Sequence, residues 1–134
     1  MKDYFSRNTI EGNLTKIENL YKSIFTEIGN TSIELTNTIV SIHHEDSTNI
    51  DSASLELTEK EDGYTISYWD GYSLAEKIDE KEIHEALKIF KRLAKKLAKN
   101  LQKFVNIIFS NIAICILLIL PNIIFLDNKY NIFG

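Results

Sequence analysis

His43, His44, Glu45 and Asp46 follow one another directly and carry the side-chain types that bind a hard or borderline divalent metal. The residues before them, Ile39-Val40-Ser41-Ile42, have a strand-forming β-branched composition. Adjacent side chains of a strand point to opposite faces, so the two imidazoles cannot readily close on one ion. His84 stands beside Glu80, Glu85 and Lys88 with no second His or carboxylate at a known metal-ligand spacing, and reads as a surface residue. Ser41, Ser47, Ser52, Ser54 and Ser67 lack the elbow or triad context of a nucleophile. Cys115 lies among Ile and Leu, where a buried thiol is inert, and as the single cysteine it excludes internal disulfides and all-Cys zinc sites. The five glycines are isolated, so no phosphate loop is present. These residues predict a non-enzymatic chain with no cofactor and no metal. An enzyme using His43, His44 and nearby carboxylates is the reading they support least.

Binding chemistry is better represented. Between Glu45 and Asp62 lie seven acids, Glu45, Asp46, Asp51, Glu56, Glu59, Glu61 and Asp62, against the single base Lys60. Such a stretch projects a negative field at a basic partner, or else forms a solvated acidic edge. Tyr64, Tyr68, Trp69 and Tyr72 follow within nine residues, close to Asp62 and Asp70. Alternation places Tyr64 and Tyr68 with Ile66 on a core face and Trp69 on the other, where an aromatic beside charge is the usual anchor of a protein interface. The expected partner-binding set is therefore Glu45, Asp46, Asp51, Glu56, Glu59, Glu61, Asp62, Trp69, Asp70 and Tyr72.

Positioning these residues falls to a small set of elements within 134 residues, a length suited to one modest core. Leu14, Ile17, Leu20, Tyr21, Ile24, Phe25 and Ile28 recur at spacings of three and four, predicting a helix over 14–28 that Gly29-Asn30 ends. Ile33 to Ile42 reads as one long or broken strand, because its apolar positions switch from odd to even at Val40 as a bulge would cause. Ala53 to Thr58 alternates as a second strand, and Asp62-Gly63 then Asp70-Gly71 supply turns around Tyr64 to Trp69 and before Tyr72 to Ile78. Asp79 with Glu82 resembles a helix N-cap with its capping-box partner. From there Ile83, Leu87, Phe90, Ala94, Leu97, Leu101, Phe104 and Ile108 form a sustained apolar seam. The fold class is α+β: an N-terminal helix, an antiparallel meander of three to four strands, a long C-terminal helix and a hydrophobic tail.

Charge is distributed unevenly along that layout. Residues 1–79 hold 15 acids and 6 bases, net −9, and residues 80–134 hold 4 acids and 9 bases, net +5. The basic run from Lys88 to Lys103 raises nucleic acid as a partner, but the overall net charge of −4 opposes it, and none is expected. After that run, residues 104–126 carry no charge, and 18 of the 23 are apolar. At 1.5 Å rise they span ~34 Å, enough for a bilayer core of roughly 30 Å. The basic run would then lie on the cytoplasmic side, making the segment a tail anchor. Against this stand Asn106, Asn111, Asn122 and Pro121. Two strands joined at Pro121-Asn122 and buried in the fold, or an extension under no selection, remain open. The organisation reads as an α+β domain over 1–103, a hydrophobic segment over 104–126 and a polar tail over 127–134.

The meander Glu61-Asp62-Gly63-Tyr64-Thr65-Ile66-Ser67-Tyr68-Trp69-Asp70-Gly71, followed by a long helix in a small acidic chain, resembles in style the bacterial immunity proteins of polymorphic and contact-dependent inhibition toxins. The resemblance covers about Leu14 to Lys103. It implies a protein-binding module that neutralises a toxin by covering or locking its active site. The acidic stretch would then meet a basic, nuclease-like toxin domain. The alternative is a tail-anchored membrane protein with a cytosolic α+β domain. The start, Met1 to Arg7, has no apolar signal region, so a cytoplasmic location is expected in either case, with or without the anchor.

Overall fold

Near the start of the described chain the Thr9 hydroxyl accepts a 3.1 Å hydrogen bond from the Gly12 amide, while its carbonyl accepts one of 2.7 Å from the Asn13 side chain. These bonds organise a 3-10 turn, Glu11–Asn13, that leads directly into helix α1, Leu14–Phe25. The computed structural model describes residues 8–45 and 52–131, with helix backbone alone over 104–108 and 120–131. Helix α1 stops three residues earlier than its apolar spacing predicts. The left-handed residue that turns the chain is Asn30, with φ 61°, and not the glycine before it.

Five antiparallel strands follow in sequence order: β1 (Thr31–Leu35), β2 (Ile39–His44), β3 (Ser54–Lys60), β4 (Gly63–Trp69) and β5 (Leu74–Glu80). The expected long or broken strand is thus two strands. Thr36 makes the reversal between them, its hydroxyl accepting from the Ile39 amide at 2.9 Å and its own amide donating to the Ile39 carbonyl at 2.9 Å. The switch in apolar parity at Val40 marks this hairpin and not a bulge. The real irregularity lies between Tyr68 and Trp69, where the register with β5 slips and Leu74 comes opposite Trp69.

Cross-strand register gives the sheet two unlike faces. Ile33, Ile42, Leu55, Tyr68 and Glu76 form one row, and Leu35, Val40, Leu57, Ile66 and Ile78 the next, all on the helix-bearing face. Helix α1 is held there by a 2.9 Å bond between the hydroxyls of Tyr21 and Thr31. The Tyr64 hydroxyl donates to the Asn8 carbonyl and fastens the start of the described chain to the same face.

Helix α2, Ile83–Asn131, begins four residues after the expected cap. Asp79 belongs to β5 and accepts a 2.6 Å hydrogen bond from Thr65 on the neighbouring strand, so it caps nothing. Within 83–100 the apolar seam is buried as its spacing requires: Ile83, Leu87, Phe90, Ala94 and Leu97, widened by Ala86 and Leu93. Each of the larger side chains contributes roughly 1.5 to 3 kcal/mol of burial. The chain divides into two units, Met1–Asn100 and Leu101–Gly134. In the second unit the backbone is helical through Pro121 to Asn131, which overturns the reading of two strands joined at Pro121-Asn122. Among the described residues no helix is long and apolar enough to cross a membrane.

Candidate functional site: the open face of the sheet

The face of the sheet opposite the helices is built from three rows. Ser32, His43, Ser54 and Trp69 form the first, with Leu74 beside Trp69. Glu34, Ser41, Glu56, Ser67 and Lys77 form the second, and Ile39, Thr58, Thr65 and Asp79 the third. Among the described residues up to Asn100 no element covers this face. Its middle is lined by small hydroxyl side chains, and Ser41 and Thr65 are hidden beneath their taller neighbours. Above that floor stand Trp69, 45% exposed, with Leu74 and Ile39. A hydroxyl-lined sheet face with an aromatic and two aliphatic posts leaves room for a partner to settle on backbone and side chains together.

Electrostatics are asymmetric across the second row. Glu34 and Glu56 are both exposed and flank Ser41 from either side, two strands or ~10 Å apart. Glu56 accepts a 2.9 Å bond from the Thr58 hydroxyl, and none of the ion pairs among the described residues reaches either glutamate. At the β5 edge of the face, the bond from Thr65 holds the Asp79 carboxyl below its ordinary range. Burial opposes this less strongly than the bond favours it, and the charges of Lys60 and then Lys77 add smaller assistance.

The ten residues expected to bind a partner are scattered by the fold. Glu56 and Trp69 share the open face. Glu45 closes β2, its amide donating to the Asn30 carbonyl at 2.7 Å, at the same end of the sheet as the β4–β5 turn that carries Asp70 and Tyr72. Tyr72 is 94% exposed there. Asp70 is occupied with the turn: its carboxylate accepts from the amides of Tyr72 at 2.8 Å and Ser73 at 2.9 Å. Those bonds, Ser73 first, hold its carboxyl below the ordinary range. Glu61 and Asp62 form the β3–β4 turn at the opposite end, roughly 20 Å away along a seven-residue strand. Glu59 falls on the helix-bearing face beside Tyr64, whose hydroxyl pKa is raised by burial and then by the charges of Glu59 and Glu82. Asp46 and Asp51 lie outside the described residues. The acidic stretch is therefore several separate features and not one patch.

Sequence reading missed the places of Glu34, Ser41 and Leu74 on this face. The first two join the site through the unrecognised β1–β2 hairpin, and Leu74 through the register slip at Trp69. Their visible signal was the parity switch at Val40, which brings Glu34 opposite Ser41 once it is taken as a chain reversal.

The histidines separate as strand geometry requires. His43 joins the open-face row and His44 pairs with Thr31. Both border an open groove of about 710 Å³ with Asn30, Ser32, Glu34 and Glu45. Among the described residues no three His, Cys, Asp or Glu side chains are grouped to hold a metal ion. A second groove, about 430 Å³, runs between α1 and α2 over Ile17, Leu20 and Leu87, with Lys16, His84 and Lys91 at its rim. Comparison with known proteins returned no matching family model, no matching curated protein and no matching solved structure.

Proposed function

We propose that this chain is a protein-binding module whose working surface is the open face of the sheet, and that its partner is a basic protein domain it neutralises. The observation that carries this reading is the pairing of unlike features on the open face: Glu34 and Glu56, in no ion pair among the described residues, and Trp69 with Leu74 one row away. An exposed Trp beside an aliphatic side chain supplies the apolar anchor of an interface. Two like charges flanking a small serine supply a seat for an Arg or Lys, gaining energy only when the partner arrives. Toxin neutralisation of the immunity-protein kind is the biological role such a surface suits, since covering a basic active site needs affinity and charge, not chemistry.

The test is a photo-crosslinker placed at Ser67, in the middle of the open face, and for comparison at Lys22 on the exposed side of α1, in the full chain made in its native cells. A discrete adduct from Ser67 and none from Lys22 is expected. The adducted protein, expressed alone, should arrest growth, and this chain should relieve the arrest. An adduct formed equally from both positions, or a partner whose toxicity this chain does not alter, would contradict the reading.

A further inference from the structure

Residues 109–119 of α2 are all exposed. Phe109, Ile112, Ile114, Ile116, Leu117, Leu118 and Ile119 are all large and apolar, and Leu118 leaves 70% of its surface uncovered. Ile112 to Ile119 is eight residues, more than two helical turns, without one polar side chain. An amphipathic helix has one apolar stripe for a partner to cover; this one has apolar side chains on all sides and no face suited to water. A protein groove or a second copy of the chain would cover one stripe and leave the rest wet, whereas hydrocarbon solvates the whole circumference.

We infer that this helical segment inserts into a lipid bilayer. The eleven residues 109–119 account for ~16 Å, about half a bilayer core, and the uncharged sequence on either side extends the apolar length to the 23 residues of 104–126. Lys91, Lys95, Lys99 and Lys103 immediately precede it and are exposed, outside every ion pair among the described residues. They suit anionic headgroups, and by the positive-inside tendency they mark the cytoplasmic side. This inference is independent of the partner-binding reading, since no residue is shared between them.

Cys115, the single cysteine of the chain, lies at the midpoint of 104–126 and is exposed, so it serves as a native probe. The full chain is made by cell-free synthesis with vesicles of phosphatidylcholine, with or without phosphatidylglycerol, and treated with a water-soluble maleimide. Insertion predicts that Cys115 is protected at least tenfold with vesicles, that the chain floats with them after alkaline carbonate, and that phosphatidylglycerol increases the floated fraction. The double substitution Ile116→Asp, Leu118→Asp should abolish flotation and restore labelling, while Glu34→Lys, Glu56→Lys leaves both unchanged. Equal labelling with and without vesicles overturns the inference. So does protection without lipid, which means a second copy covers the segment, and so does flotation that carbonate or high salt releases, which means surface adsorption by the lysines.

Discussion

The side-chain amide of Asn100 donates a 2.8 Å hydrogen bond to the phenolic oxygen of Tyr68. One helical turn earlier the Lys96 ammonium lies 5.5 Å above the Tyr68 ring and also bonds to Glu76 at 3.0 Å, and a turn before that Arg92 reaches Glu76 at 3.3 Å. Tyr68 and Glu76 are cross-strand partners, so three helix residues spaced by four grip one pair of the sheet. Tyr68 and Trp69 are chain neighbours on opposite faces, and the grip on the first therefore sets the position of the second.

Tyr68→Phe removes only the hydroxyl and should cost about 1 kcal/mol, lowering the melting temperature by roughly 4–8 °C. Tyr68→Ala empties a site that is 1% exposed and should cost about 3–5 kcal/mol. Thermal unfolding followed by circular dichroism checks both. A smaller loss for Ala than for Phe would contradict the packing described.

Acid should weaken the grip. Lys96, through its hydrogen bond first and its charge next, holds the Glu76 carboxyl below its ordinary value of 4.5, with Arg92 adding to this and desolvation opposing it. A depressed folded-state pKa means that stabilisation is complete above the ordinary value and is lost as pH falls through the folded one. Melting temperature should therefore fall less steeply below pH 4.5 in Glu76→Gln than in the wild type. Because the pair is partly exposed, the effect at neutral pH should stay within about 1 kcal/mol.

Two glycines should respond in opposite ways. A Cβ at Gly63, φ 154°, would meet the Glu80 carbonyl oxygen at 2.5 Å, and this contact is with backbone that cannot swing aside. Gly63→Ala should cost about 1–3 kcal/mol and disturb the β4–β5 edge. At Gly29 a Cβ meets nothing within 4 Å, so Gly29→Ala should be neutral or stabilising by up to ~1 kcal/mol. Urea midpoints of the two variants decide this.

Where the sequence was legible, one physical pattern dominated. The seam of Ile83, Leu87, Phe90, Ala94 and Leu97 repeats at helix spacing and is buried as such, and Tyr64, Ile66 and Tyr68 alternate into the core while Trp69 does not. Reading failed where side chains did the work of glycine or where long-range pairing decided. Thr36-Asn37-Thr38 turns the chain through hydroxyl bonds without Gly or Pro, so β1 and β2 merged into one strand. Asp79 and Glu82 have capping-box spacing, but pairing with Thr65 draws Asp79 into β5. Seven acids close in sequence could not announce that the hairpins would send Glu61 and Asp62 to one end of the sheet, Glu45 to the other and Glu59 to the far face. The open face depends on register across five strands, which no local window contains.

Trp69→Ala should separate folding from binding. Nearly half its surface is exposed, so the stability loss should be about 1 kcal/mol or less, whereas an interfacial Trp typically contributes 2 kcal/mol or more to affinity, about thirtyfold in Kd. Calorimetric binding to the partner found from Ser67 tests it. Comparable losses of stability and affinity would remove Trp69 from the interface.

The association rate of that partner with wild type and with Glu34→Lys, Glu56→Lys, measured between about 50 and about 300 mM salt, decides whether the open face is the binding surface. Both substitutions lie on an uncovered surface and should leave the melting temperature almost unchanged. The wild-type rate should fall at least tenfold with salt, and the doubly reversed variant should associate slowly at every salt concentration. A variant that binds as fast as wild type, with the same salt dependence, would show that the partner does not sit on the open face.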